Sequence, residues 1–96
     1  MAEVTYISEV ECDVVVADGI LDSQVIRVLD AEGGVHMLRV AKGGLNAQGT
    51  KQYLPVGLVR VDQKAKRALI ELPQEADSGT SRLWVPFGKF RRQETS

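Results

Sequence analysis

The sequence predicts an all-β chain, one small, partly open β-barrel of six or seven short antiparallel strands. Three observations carry this. Short β-branched runs recur along the chain, with Gly, Pro, Asp and Ser turn signals every eight to twelve residues, the spacing of small barrels and sandwiches. No window of eleven or more residues keeps apolar positions at i, i+3, i+4 and i+7, so an amphipathic helix has no support. Finally, Thr50-Lys51-Gln52-Tyr53-Leu54-Pro55-Val56-Gly57-Leu58-Val59-Arg60 recurs, altered, 31 residues later as Ser81-Arg82-Leu83-Trp84-Val85-Pro86-Phe87-Gly88-Lys89-Phe90-Arg91. Each copy reads as an aromatic-led strand that a proline stops and a glycine turns.

Taken in order, residues 1–12 read as an acidic lead-in whose Tyr6, Ile7 and Val10 cover one end of the core. Residues 13–17 form a β-branched strand that Asp18-Gly19 turns. Residues 23–30 form a second strand, and Gly33-Gly34 supplies the positive φ of a hairpin loop. Residues 35–41 pair back, with a period of two that puts His36, Leu38 and Val40 on one face and Met37 and Arg39 on the other. Residues 42–49 hold three glycines and little to bury, and read as a mobile surface loop. A short strand at 52–54 stops at Pro55, and 58–62 with 67–72 makes a second hairpin. Residues 73–80 are a polar loop, 82–85 the last strand, and 86–90 a turn. The domain is expected to span 1–92, with a polar tail at 93–96.

Composition bounds the function. At 44% hydrophobic and 26% charged, the chain is ordinary globular material, long enough for one modest core. No signal-like run and no 18-residue apolar stretch is present, so the expectation is a cytoplasmic protein without membrane insertion. Residues 1–32 carry eight acids against Arg27 alone, net −7, and residues 33–96 carry eleven bases against five acids, net +6. The simplest reading is mutual neutralisation within one barrel; the alternative is steering of a charged partner.

The order of signals resembles PRC-barrel-like domains. The stretch from Tyr6 through the valines to Asp18-Gly19 is similar to that family's opening, and Val25-Ile26-Arg27-Val28, Leu38-Arg39-Val40 and Tyr53-Leu54-Pro55-Val56-Gly57-Leu58-Val59 continue the match. The likeness covers about residues 5–74. Asp22-Ser23 departs from it, where the family has an aliphatic-Gly pair. The resemblance implies a barrel of the broader SH3-like kind used as a non-catalytic assembly module, and it transfers no functional residues.

Chemical motifs are sparse. Residues 44–51 approach a phosphate loop, but Thr50 and Lys51 are in the wrong order and a strand follows instead of a helix. His36 is the only histidine. Nucleophilic catalysis would need a Ser or Cys and an orienting acid brought to it from elsewhere in the chain, so it reads as structural. Cys12 lies between Glu11 and Asp13, which disfavour a thiolate. One His and one Cys do not make a structural zinc site, and the early acids lack the alternation of a calcium loop. No catalytic residue, metal, cofactor or small-molecule substrate is expected.

The leading expectation is therefore a protein-binding or self-associating module, with Leu45, Asn46, Trp84 and Phe87 as candidate contacts on loops and turns. The alternative is a nucleic-acid surface of Arg82, Lys89, Arg91 and Arg92, where bases interleave with aromatics.

Overall fold

The computed structural model describes residues 5–18 and 22–95. The chain is all-β, with eight antiparallel strands among the described residues: β1 (Thr5–Asp18), β2 (Ser23–Leu29), β3 (Val35–Ala41), β4 (Asn46–Gln48), β5 (Lys51–Asp62), β6 (Arg67–Glu71), β7 (Arg82–Pro86) and β8 (Phe90–Thr95). Their order across the curled sheet is β3-β2-β1-β5-β6-β7, with β8 added to β1 and β4 to β5.

Two long strands make the curl. Residues 8–12 of β1 pair with β5 and residues 5–10 with β8, while residues 13–18 pair with β2. In the same way β5 gives its first half to β1 and its second half to β6. Each long strand carries one unpaired extra residue, Val15 in β1 and Val59 in β5. Such bulges bend a strand and increase its twist, which lets one strand serve two walls of the barrel.

Sequence alternation fills the interior. Gln24, Ile26 and Val28 of β2 alternate inward, as do Ala68 and Ile70 of β6 and Leu83 and Val85 of β7. The apolar ones among them form one core with Val10, Cys12, Leu38 and Leu54. His36, Leu38 and Val40 share the inward face of β3 as expected. Between β3 and β7 no ladder closes the wall. Instead the 73–81 loop lies along the free edge of β3: Asp77 N–H donates to Met37 O (2.8 Å) and Met37 N–H to Asp77 Oδ1 (2.9 Å), while Gln74 donates to Arg39 O. The barrel is closed there by a loop.

Several local expectations are corrected. The lead-in and first strand are a single strand of 14 residues; the turn at Asp18-Gly19 lies partly outside the described residues, as do the side chains of Tyr6 and Ile7. Pro55 does not end its strand: it sits within β5 opposite Glu9, and the chain runs on to Asp62. The glycine-rich loop contains a 3-10 turn (Lys42–Gly44) and the short strand β4. Residues 93–95 of the expected tail extend β8 along β1. The two repeat copies thus diverge: the first is one strand, and the second is β7, the 3-10 turn Phe87–Lys89 and β8. Among the described residues no helix is long and apolar enough to cross a membrane.

Candidate functional site

The two repeat copies meet on either side of β1, and Glu9 is the residue between them, opposite Pro55 on β5 and Arg91 on β8. Its side chain is fully buried. Arg91 Nε donates to Glu9 Oε1 at 3.1 Å, and Asn46 Nδ2 donates to Oε2. The Arg91 guanidinium lies 3.7 Å from the centre of the Tyr53 ring and also donates to Gln48. Two residues along β1, Glu11 accepts Lys89 Nζ at 2.7 Å and lies 3.2 Å from Lys51 Nζ. Lys89, and then Lys51, holds the Glu11 carboxyl below its ordinary value despite partial desolvation, and Glu11 in turn raises Lys89. The acidic first third and basic remainder of the sequence are therefore joined here as local ion pairs.

This arrangement engages much of the expected basic surface. Lys89 and Arg91 are committed to Glu11 and Glu9, and Arg82 Nε is 3.4 Å from Glu71 Oε1. Arg92 is exposed. The residues expected to bind a protein also make contacts within the fold, while Asn46 stays exposed and Leu45, Trp84 and Phe87 half-buried. Leu45 and Phe87 pack against the core, Asn46 covers Glu9, and Trp84 lies under Arg67, 4.5 Å from guanidinium to ring. The side chains of the two groups contribute to the fold through contacts that strand spacing alone does not display.

A different surface is open. Among the described residues, 13–18 of β1 pair with β2 alone. Val14, Val15 and Val16 there are 40%, 44% and 53% exposed. The bulge at Val15 breaks the strict alternation of the strand, and all three valines of this half-strand stand in solvent. A groove of about 290 Å³, bounded by Glu11, Asp13, Val14, Thr50 and Lys51, leads into it. The signal was in the sequence as a β-branched run, but a buried strand gives the same run.

No family model, curated protein or solved structure matches this chain.

A second constellation lies at the β2–β3 end. His36 Nε2 is 2.8 Å from Asp30 Oδ2 and His36 Nδ1 is 2.7 Å from Ser78 Oγ. The three residues border a cleft of about 390 Å³ that also holds Thr80, Arg82 and Trp84. The histidine bond, aided by backbone N–H groups of Gly34 and Glu32, keeps the Asp30 carboxyl below its ordinary value. Sequence reading set out what His36 would need and had no means of finding it, since Ser78 is 42 residues away. Cys12 is buried and its thiol is pushed up to about 12, by desolvation first and then by Asp13 and Glu11. Among the described residues no three His, Cys, Asp or Glu side chains are placed to hold a metal ion.

Proposed function

We propose that this protein is an interaction module that binds a protein partner by adding a strand to the open half of β1. The observation that carries the reading is the run Val14-Val15-Val16, exposed on a strand half that has one neighbour among the described residues. An unpaired strand edge offers a row of N–H and C=O groups to another chain, and native edges are usually blunted by lysine, proline or a covering loop. The edge of β3 is covered in that way by the 73–81 loop. Residues 13–18 carry no lysine or proline.

The chemistry of the edge also selects its occupant. Asp13 and Asp18 bracket the valines in sequence. Two copies paired antiparallel along this half-strand would bring the charges of both Asp13 and Asp18 pairs into one short ladder, and like charges in close proximity repel. The favoured partner is an extended segment with an apolar centre and basic ends. The resemblance to PRC-barrel-like domains, with their use as assembly modules, supports the same class of function. Binding of this kind asks no chemistry of the edge. The nucleic-acid alternative is less favoured, because Lys89, Arg91 and Arg82 already face carboxylates.

Amide-resolved titration tests this with a short synthetic peptide of alternating Val and Thr flanked by lysines. Shifts should concentrate at residues 13–18 and on β2, weaken for a glutamate-flanked control, and be lost in Val16→Lys, whose exposed side chain leaves the fold intact. Shifts centred on residues 82–92 instead, or none at all, would refute the reading. Sedimentation should give a monomer; a dimer abolished by Val16→Lys would transfer the edge to self-association.

A further inference from the structure

We propose that Asp30, His36 and Ser78 form a nucleophilic relay, with Ser78 Oγ able to attack small activated carboxylic esters seated in the adjoining cleft. This goes beyond the strand-addition reading and does not depend on it.

With His36 as the neutral imidazole, the hydrogen bonds assign the protons. Asp30 Oδ1 accepts the backbone N–H groups of Glu32 and Gly34, both at 2.8 Å. An ionised carboxylate is an acceptor only, so its Oδ2 bond at 2.8 Å places a proton on His36 Nε2. Neutral His36 then has a lone pair at Nδ1, and Ser78 Oγ–H donates to it across 2.7 Å. Nucleophile, base and orienting acid stand in the order that general-base activation requires. The ring is used in the opposite sense from the familiar serine-protease arrangement, with Nδ1 toward the serine.

The three groups are also held. Asp30 is fixed by the hairpin turn, where Asp30 N–H donates to Gly34 O and Gly33 N–H to Asp30 O. A Cβ on Gly34 would stand 2.4 Å from Asp30 Oδ2, so glycine is what lets the carboxylate lie there. The His36 and Asp30 side chains are only 13% and 21% exposed. Ser78, by contrast, is exposed and reaches the cleft from a loop fastened to β3 by Asp77. The cleft volume of about 390 Å³ suits a small ligand, with Leu83 and Trp84 as apolar wall and Arg82 as a cation along it.

In the step itself, Ser78 Oγ bonds to the ester carbonyl carbon as its proton passes to His36 Nδ1. The tetrahedral adduct expels the alkoxide, which takes that proton and leaves as the alcohol. Water then attacks the acyl-serine, giving the proton to Nδ1 and releasing the carboxylic acid with Ser78 restored. Asp30 holds Nε2–H throughout and stabilises the imidazolium.

The test uses p-nitrophenyl acetate and a fluorophosphonate probe on the whole chain, read by nitrophenol release and peptide mass mapping. Ser78 should be the residue modified, and Ser78→Ala should abolish modification at that position while leaving the spectrum folded. His36→Gln should slow it at least about 100-fold, the usual scale of general-base assistance. Asp30→Asn should also slow it by favouring the wrong tautomer, and a two-dimensional amide spectrum checks that each variant is folded. Acyl groups on lysines with Ser78 untouched would overturn the proposal. So would Ser78 labelling at an unchanged rate in folded His36→Gln, leaving the three residues as a latch for the loop.

Discussion

Removing the charge of Arg91 should strand a carboxylate that has no access to water. Glu9 is 0% exposed, and the Arg91 side chain above it is 22% exposed. At the observed 3.1 Å, two unit charges interact by roughly 5 kcal/mol in an effective dielectric of about 20. Breaking a buried pair from one side typically costs about 3–5 kcal/mol. The loss of the guanidinium from the Tyr53 ring adds about 0.5–1 kcal/mol. Because Arg91 is itself partly exposed, Arg91→Met, which keeps the apolar stem, should destabilise by the lower part of that sum, about 3.5–4.5 kcal/mol. That is a large share of the roughly 5–15 kcal/mol that holds a domain of this kind. Glu9→Met with Arg91→Met leaves neither charge buried. Its main remaining cost is the Asn46 amide that loses an acceptor, about 1–2 kcal/mol. The cycle should then show a coupling of at least about 2 kcal/mol. Urea unfolding reads it: with a slope of about 1–1.5 kcal/mol per molar, Arg91→Met lowers the midpoint by roughly 2–4 M. A midpoint within the error of wild type, or single-variant losses that simply add, would refute the account of this pair.

Three further outcomes follow from the same contacts. Asp30 and Glu11 have folded-state values below their ordinary 3.8 and 4.5. Their stabilisation is thus complete above those values and lost as pH falls through the lower folded ones, so thermal midpoints should drop in acid below about pH 4; His36→Gln should reduce that acid loss. Cys12, with its thiol near 12, should resist iodoacetamide at pH 8 in the native state and react at the ordinary thiol rate in urea; rapid native labelling would contradict its burial. Lys66 holds a left-handed φ of 54°, so Lys66→Gly should raise stability by about 0.5–1 kcal/mol, seen as an increase in Tm.

Much of the fold was legible in residue order. The hairpins at Gly33-Gly34 and around 63–66, the inward face of β3 and the polar 73–80 loop all rest on local chemistry: glycine at positive φ, β-branched alternation, breakers between runs. What misled was also local. Pro55 and Pro86 occupy equivalent positions in the repeat, yet one lies within a strand and the other ends one. Proline forbids only its own N–H, and whether that donor was needed depends on the neighbour that tertiary pairing supplies.

The candidate sites divide in the same way. The sequence by itself determined that the chain is a β domain, that its acids lie early and its bases late, and that Cys12 sits among anions. It also supplied the β-branched run of β1, but not which half of that strand would lack a second neighbour. Only the tertiary structure set Glu9 beneath Arg91, gave Lys89 to Glu11 and joined Asp30, His36 and Ser78. Strand periodicity records which face a residue takes, and it carries no record of which distant strand or loop lies opposite. Partners 42 to 82 residues apart are selected by the closure of the barrel, where burial makes an unmatched charge or polar group costly and a matched one stable.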